Sequence, residues 1–380
     1  MKFLFIYDCL FPETVGGVEH RNFRLARALA DLGHKVALAG WGDVDPPAHP
    51  NVTILRLPLR AKLHDADGKR GLLPTLRFAL SVLTLDLRSY DVVETANIPY
   101  LHLFPLALTC RRARKPLIVT WHEYFGPLWK SYKSPLTAPF FALVESLAAR
   151  LGSFAVAVSS LTAQRLAKAR DAQTIPLLPN GVDLEDIASA AQNPATGVPP
   201  LLYAGRLIPE KRVDLLLRAV ALLSPTNDAP LLGIIGLGPD NARLEALAHA
   251  LNLQNKVRFY GRVPESADVL RLLAGTRIAV QPSAREGFGL FPLEAMALGL
   301  PVVYCESPDN AIADLVRDGT EGLMAAPNPE SLAAKLAALL EDRALCAALG
   351  KKGRTRAALF DWRALAKEAE AFFTQAKATF

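Results

Sequence analysis

The chain runs one pattern twice. Apolar stretches alternate with amphipathic ones from the N-terminus through KFLFIYDCL, KVALAGW, NVTILRLP, DVVETAN, KPLIVTWH and FAVAVSS. The alternation then begins afresh with PPLLYAGRL, LLGIIGLG, KVRFYG, TRIAVQPS and LPVVYCES. Runs that are apolar without a polar face belong to strands covered on both sides, which predicts an α/β chain of parallel sheets sandwiched by helices. A length of 380 residues suits two such domains, and a 51% hydrophobic content supplies two cores. The stretch IASAAQNPATGVPP, residues 187–200, reads as the linker between them. The run from Asp361 to Phe380 reads as a helix that caps the second domain or crosses back to the first.

Several classes are disfavoured. No apolar run approaches the ~18–20 residues of a membrane span, and the opening lacks the features of a signal peptide. Cys9, Cys110, Cys305 and Cys346 have no metal-like or redox spacing and read as buried thiols in a reducing compartment, with the cytoplasm as the default. Residues 1–180 hold 22 Lys+Arg against 14 Asp+Glu, so the first half is basic within a net charge of +6. That excess suits phosphate groups or acidic lipid. Nucleic acid is disfavoured, because no helix-turn-helix, zinc or RNA-binding motif is present. The pairs Asp43/Asp45 and Asp65/Asp67 sit beside Pro- and Gly-rich turns and read as solvated loop carboxylates rather than metal ligands.

In open parallel sheets, ligands bind outside the carboxyl ends of the strands, and the unusual residues cluster there. After TRIAVQPS comes REGFGLFPLEAMALGLP, residues 285–301, with Glu286 and Glu294 on either side of Gly287 and Gly289. The glycines let backbone N–H groups approach a ligand, and the helix that follows favours an anion at its N-terminus. Glu294 is expected in that helix's first turn. Carboxylates there would repel a phosphate unless they reach past it to hydroxyl groups, so the layout suits a sugar nucleotide. Arg206 and Lys211, after PPLLYAGRL, suit a diphosphate leaving group. Gly16 and Gly17 follow the first strand and His122 follows KPLIVTW. The GLGPDN stretch resembles a dinucleotide fingerprint but has Asn241 where the third glycine should stand.

With these residues in hand, the sequence resembles the family 4 glycosyltransferases of the GT-B fold over nearly its whole length. The motifs occur in order: GGVE, TWH, PNGVD, AGRLIPEK, IIGLGP, VRFYGRV and PSAREGFGLFPLEAMALGLPVV. The resemblance implies two Rossmann-like domains facing across a cleft. Residues 1–181 would be the acceptor domain, with helix 363–380 crossing back onto it, and 182–362 the nucleotide-sugar donor domain. It implies retaining transfer of a hexose-type sugar from a UDP-sugar or GDP-mannose to a glycan or lipid-linked acceptor, with no cofactor or metal. Glu294 would accept from the ribose hydroxyls and Glu286 from the sugar, while Arg206 and Lys211 would hold the diphosphate. Gly287, Phe288, Gly289 and Leu290 would offer backbone contacts, and Gly16 and Gly17 would line the phosphate side. His122 would lie near the anomeric centre, with Arg262 and Val263 flanking the base.

Where many members carry a Gly-Gly turn before a glutamate, this chain has SPDNAIADLVRDG, with Asp314 near that acidic position. Two alternatives share the fold: a nucleotide-sugar 2-epimerase-like isomerase, and a non-catalytic sugar-nucleotide-binding protein. The stretches LLPTLRFALSVLTLDLRSY and GPLWKSYKSPLTAPFFALVESLAARL suggest peripheral contact with the anionic inner face of a membrane.

Overall fold

A computed structural model describes residues 1–13, 16–63, 71–223 and 231–380. The chain forms two units, Met1–Asn180 with Trp362–Phe380, and Gly181–Asp361.

The first unit is a six-stranded parallel sheet. Its strands are β1 (Lys2–Ile6), β2 (Lys35–Gly40), β3 (Val52–Arg56), β4 (Val92–Ala96), β5 (Leu117–Trp121) and β6 (Phe154–Ala157), in the order β3-β2-β1-β4-β5-β6. Its helices are α1 (Gly17–Asp31), α2 (Leu72–Ser81), α3 (Leu103–Ala113), α4 (Trp129–Tyr132), α5 (Ala138–Ala149) and α6 (Ser160–Arg170). The strand order reverses between β1 and β4, which pair in parallel with Phe3 opposite Val92. One sheet face packs Leu4, Ile6 and Val93 against Phe78, Leu103 and Leu106. The other packs Phe3, Phe5 and Ile118 against α1 and the C-terminal helix.

The second unit repeats the plan with β7 (Leu201–Ala204), β8 (Leu232–Ile235), β9 (Val257–Gly261), β10 (Ile278–Gln281), β12 (Val302–Cys305) and β14 (Gly322–Ala325), in the order β14-β12-β10-β7-β8-β9. Two-residue strands β11 (Arg285–Glu286) and β13 (Asp309–Asn310) pair with each other outside that sheet. The helices are α7 (Leu184–Gln192), α8 (Val213–Leu222), α9 (Asn241–Ala250), α10 (Ser266–Gly275), α11 (Leu290–Ala297), α12 (Ile312–Leu315), α13 (Pro329–Glu341) and α14 (Arg343–Ala357). Here the order reverses between β7 and β10.

The last helix, α15 (Trp362–Thr379), belongs to the first unit. Trp362, Leu365 and Phe373 enter its core, where Phe373 meets Phe3 edge-on with ring centroids 5.3 Å apart. Burying a side chain of that size contributes about 2–3 kcal/mol, which fixes the helix there. The two places where the chain changes units lie side by side, the Val182 amide donating to the Phe360 carbonyl at 2.8 Å.

Three expectations need correction. Residues 187–200 are not the linker, because the division falls between Asn180 and Gly181. Ile187 and Ala190 are buried on α7, a helix capped by the Asp183 side chain, which accepts from the amides of Glu185 and Asp186. Glu294 lies beyond the first turn of α11, since Gly289, at φ +104°, caps the helix and Leu290 begins it. Cys346 is only partly buried, unlike the other three cysteines. Asp43 and Asp45 are exposed and pair with Arg60 and Arg56; Asp65 and Asp67 lie outside the described residues.

Candidate active site

In the second unit the site is assembled where the strand order reverses. Lys211 ends the loop after β7, Glu286 lies in the loop after β10, and Lys211 Nζ stands 2.5 Å from Glu286 Oε1. The same oxygen accepts from Gln281 Nε2 at 2.6 Å and from Ser283 Oγ at 2.8 Å. Both members of the ion pair are mostly enclosed, their side chains 19% and 12% exposed. Backbone bonds lock the loops together: the Ala284 amide donates to the Glu210 carbonyl, and the Ala311 amide to the Glu286 carbonyl. Asn310 joins the β12 loop to this assembly, its Nδ2 donating to the Ser283 carbonyl at 2.9 Å and its Oδ1 accepting from the Ile312 amide.

The other expected residues of this unit lie in the segments that follow its strands. Arg206 is exposed in the β7 loop, whose turn is fixed by Tyr203 Oη donating to the Arg206 carbonyl at 3.1 Å. Gly287, Phe288 and Gly289 lead into α11 and Leu290 opens it, while Phe288 is buried edge-on against Phe360. The N-terminus of α11 thus lies only a few residues beyond Glu286. Glu294 is partly exposed one turn further along. Arg262 and Val263 follow β9, Arg262 exposed and Val263 partly so. Asp314 is exposed on α12. The GLGPDN loop has a structural explanation: a Cβ at Gly236 would stand 2.0 Å from the Gly205 carbonyl oxygen, and one at Gly238 2.1 Å from that of Leu207. Those glycines let the β8 loop lie on the β7 loop.

The first unit's polar cluster also lies at its reversal point. Gly16 caps α1 and Gly17 begins it, but the Gly16 amide donates to Glu19 Oε1 at 2.7 Å. A carboxylate of the chain itself occupies the place where an anion was expected. Beneath the sheet's carboxyl edge, Arg21 Nη1 on α1 lies 3.3 Å from Glu94 Oε1 on β4, both side chains essentially unexposed. Thr120 Oγ1 on β5 donates to the same Glu94 oxygen at 2.5 Å. His122 follows β5 directly, and its Nε2 is enclosed with no hydrogen-bond partner. Burial, and secondly the Arg21 charge, push its imidazole down to about 3, so the ring is neutral through the range where an ordinary histidine titrates. The sequence reading missed Arg21, Glu94, Asn97, Gln281, Ser283 and Asn310. For Glu94, Asn97, Gln281 and Ser283 the available signal was polar residues in or just after otherwise apolar strands, as in VVETAN and AVQPS.

Two Rossmann-like halves, each gathering charged and polar side chains at its point of strand reversal, are the GT-B architecture of glycosyltransferases. Residues 15–186 match the Glycosyltransferase Family 4 domain, and residues 185–356 match the Glycosyl transferases group 1 domain. The chain is 26% identical to a glycogen synthase of Mycobacterium tuberculosis, over 96% of its own length and 92% of that protein. It is 27% identical to a phosphatidyl-myo-inositol mannosyltransferase of Mycobacterium leprae, over 94% and 92%. The structure of Anabaena HepE in complex with UDP-glucose superposes with a TM-score of 0.73 at 22% identity, over 99% of this chain and 100% of that one. The chain belongs to the family 4 glycosyltransferases, and the isomerase and non-catalytic readings are set aside.

Proposed function

We propose that this glycosyltransferase moves a hexose-type sugar from a nucleoside diphosphate sugar to a hydroxyl of a glycan or lipid-linked acceptor, with retention at the anomeric carbon and without a cofactor or metal. The observation that carries the reading is the enclosed Lys211–Glu286 pair where the strand order reverses, a few residues before the N-terminus of α11. A diphosphate entering there takes Lys211 from Glu286, and the released carboxylate then accepts from sugar hydroxyls. Lys211 and Arg206 offset the charge that grows as the bond from the anomeric carbon to the diphosphate breaks. The acceptor oxygen attacks on the face the diphosphate leaves, and its proton passes to a diphosphate oxygen. Glu294 accepts from the ribose. His122 meets the sugar near the anomeric carbon as a neutral ring. The UDP-glucose complex of HepE and the names of the two mycobacterial relatives support this donor class. Proton NMR of the first product formed from an α-configured donor tests the stereochemistry. An α-linked product at a rate unchanged by EDTA is expected; a β-linked product contradicts the reading.

The same chemistry at a bilayer surface is our proposal for location, on the cytoplasmic face of the membrane. No helix among the described residues is long and apolar enough to cross one. Leu72, Leu76 and Leu80 are exposed at one-turn spacing along α2, Phe104 and Leu108 along α3, and Phe140, Leu143 and Leu147 along α5. Arg77, Arg111 and Arg112 are exposed on the first two of these helices, and the one carboxylate of the three, Glu145, is fully buried. Such a surface suits an anionic leaflet. In co-sedimentation at low salt, phosphatidylglycerol vesicles are expected to capture the wild type and at least fivefold less of the Leu76→Glu/Leu80→Glu variant. A wild type that stays in the supernatant sinks the proposal.

A further inference from the structure

Between β5 and α4 the chain passes through a seven-residue segment, His122 to Leu128, that two buried side chains grip from opposite ends. Asn97, unexposed at the exit of β4, accepts from the His122 amide through Oδ1 at 3.1 Å and donates to the Glu123 carbonyl through Nδ2 at 3.1 Å. At the other end, from Phe125 on, Glu145 of α5 collects four donors. Its Oε1 accepts from Tyr100 Oη and the Phe125 amide, both at 2.8 Å. Its Oε2 accepts from the Gly126 amide at 2.7 Å and from Trp129 Nε1 at 2.9 Å. Glu145 is fully buried, and these donors are all neutral. Phe125 stacks on Trp129 at 4.6 Å, and Trp129 on Phe141 of α5 at 5.1 Å, so apolar packing already seats the loop.

A buried carboxylate costs several kcal/mol of desolvation, and a well-packed apolar group serves stability as well or better. What the carboxylate adds is direction: it fixes which amides point inward and therefore where the backbone lies at each step. The group whose place depends on that backbone is His122, with its enclosed and unpartnered Nε2. We propose that Asn97 and Glu145 are positioning residues that set the His122 ring against the transferring sugar, which rests on the reading that His122 meets the sugar. A reacting group displaced by about 1 Å loses on the order of a hundredfold in rate.

The test is a double-mutant cycle on turnover of UDP-glucose and GDP-mannose, with nucleoside diphosphate release as the readout. Asn97→Asp keeps the acceptor for His122 but sets a carboxylate oxygen against the Glu123 carbonyl. Glu145→Gln turns an amide group toward two donors. Each is expected to lower kcat about 30- to 100-fold, with the donor KM within about threefold of wild type. In a His122→Ala background each should change kcat by less than about threefold, because the group they act through is gone. Equal losses in both backgrounds overturn the proposal and leave the two residues merely structural. If the wild type turns over neither donor, the function reading passes to the other nucleoside diphosphate sugars, and the positioning claim is read from diethyl pyrocarbonate modification of His122 instead. There the rate is expected to rise at least tenfold in either variant, and an unchanged rate overturns it.

Discussion

Lys211→Ala is expected to lower kcat about 10²- to 10³-fold, the range found when a preorganised group facing developing charge is removed. The sugar–diphosphate bond breaks with charge moving onto phosphate oxygens, and until the donor enters Lys211 is kept in place by Glu286 Oε1, an oxygen that also accepts from Gln281 and Ser283. Glu286 keeps its two neutral donors in the variant, so the fold of the loop survives and the loss is kinetic. Lys211→Arg should recover little, because a planar fork does not replace a point charge in a site this closed. Steady-state turnover decides it: a loss under tenfold would show that Lys211 does not face the leaving group.

The second large effect falls on stability. Glu94→Ala should destabilise the first unit by about 3–5 kcal/mol, because it leaves the Arg21 guanidinium fully buried without its counter-charge. Replacing both, as Arg21→Met with Glu94→Leu, should recover most of that loss. Urea unfolding of the two variants beside wild type measures it, and an additive double variant would contradict the account. Burial pushes the Glu94 carboxyl up, against the pull of Arg21 and Thr120, and pushes the Arg21 guanidinium down. The sign for Glu94 follows: a folded value above the unfolded one weakens the fold as pH rises through it, so protonating Glu94 does not drive acid unfolding. His122 acts the other way. Its ring is held down to about 3, while in the unfolded chain it takes a proton near its ordinary value, so the fold loses stability as pH falls through that interval.

The strands were legible because two-sided burial writes itself as uninterrupted apolar runs, and each run quoted from the sequence contains a strand of one of the two sheets. The strand Gly322–Ala325 went unread, being only four residues with Gly and Met among them. The misplaced linker shows how composition misleads: Ala and Pro around residue 190 hid a short helix whose cap, Asp183, was in plain view. Glu294 was placed a turn too early because the cap is the positive-φ Gly289 rather than a residue nearer Pro292. The candidate residues named from the sequence came one loop at a time. Partnerships were not readable that way, since Lys211 and Glu286 lie 75 positions apart and Arg21 and Glu94 lie 73. Only the order of strands brings each pair together, and no local spacing carries that information.

The loops after β7 and β10 are proposed to hold a nucleoside diphosphate. The most direct measurement is a thermal-shift panel of UDP, GDP, ADP and dTDP with their common sugars, run on wild type and Glu294→Ala. A ligand that binds only the native state raises the melting temperature according to its affinity. One nucleotide series is expected to stabilise wild type, and the Glu294→Ala variant to lose most of the shift. A panel in which no nucleotide moves wild type, or in which both proteins respond alike, would contradict the proposal.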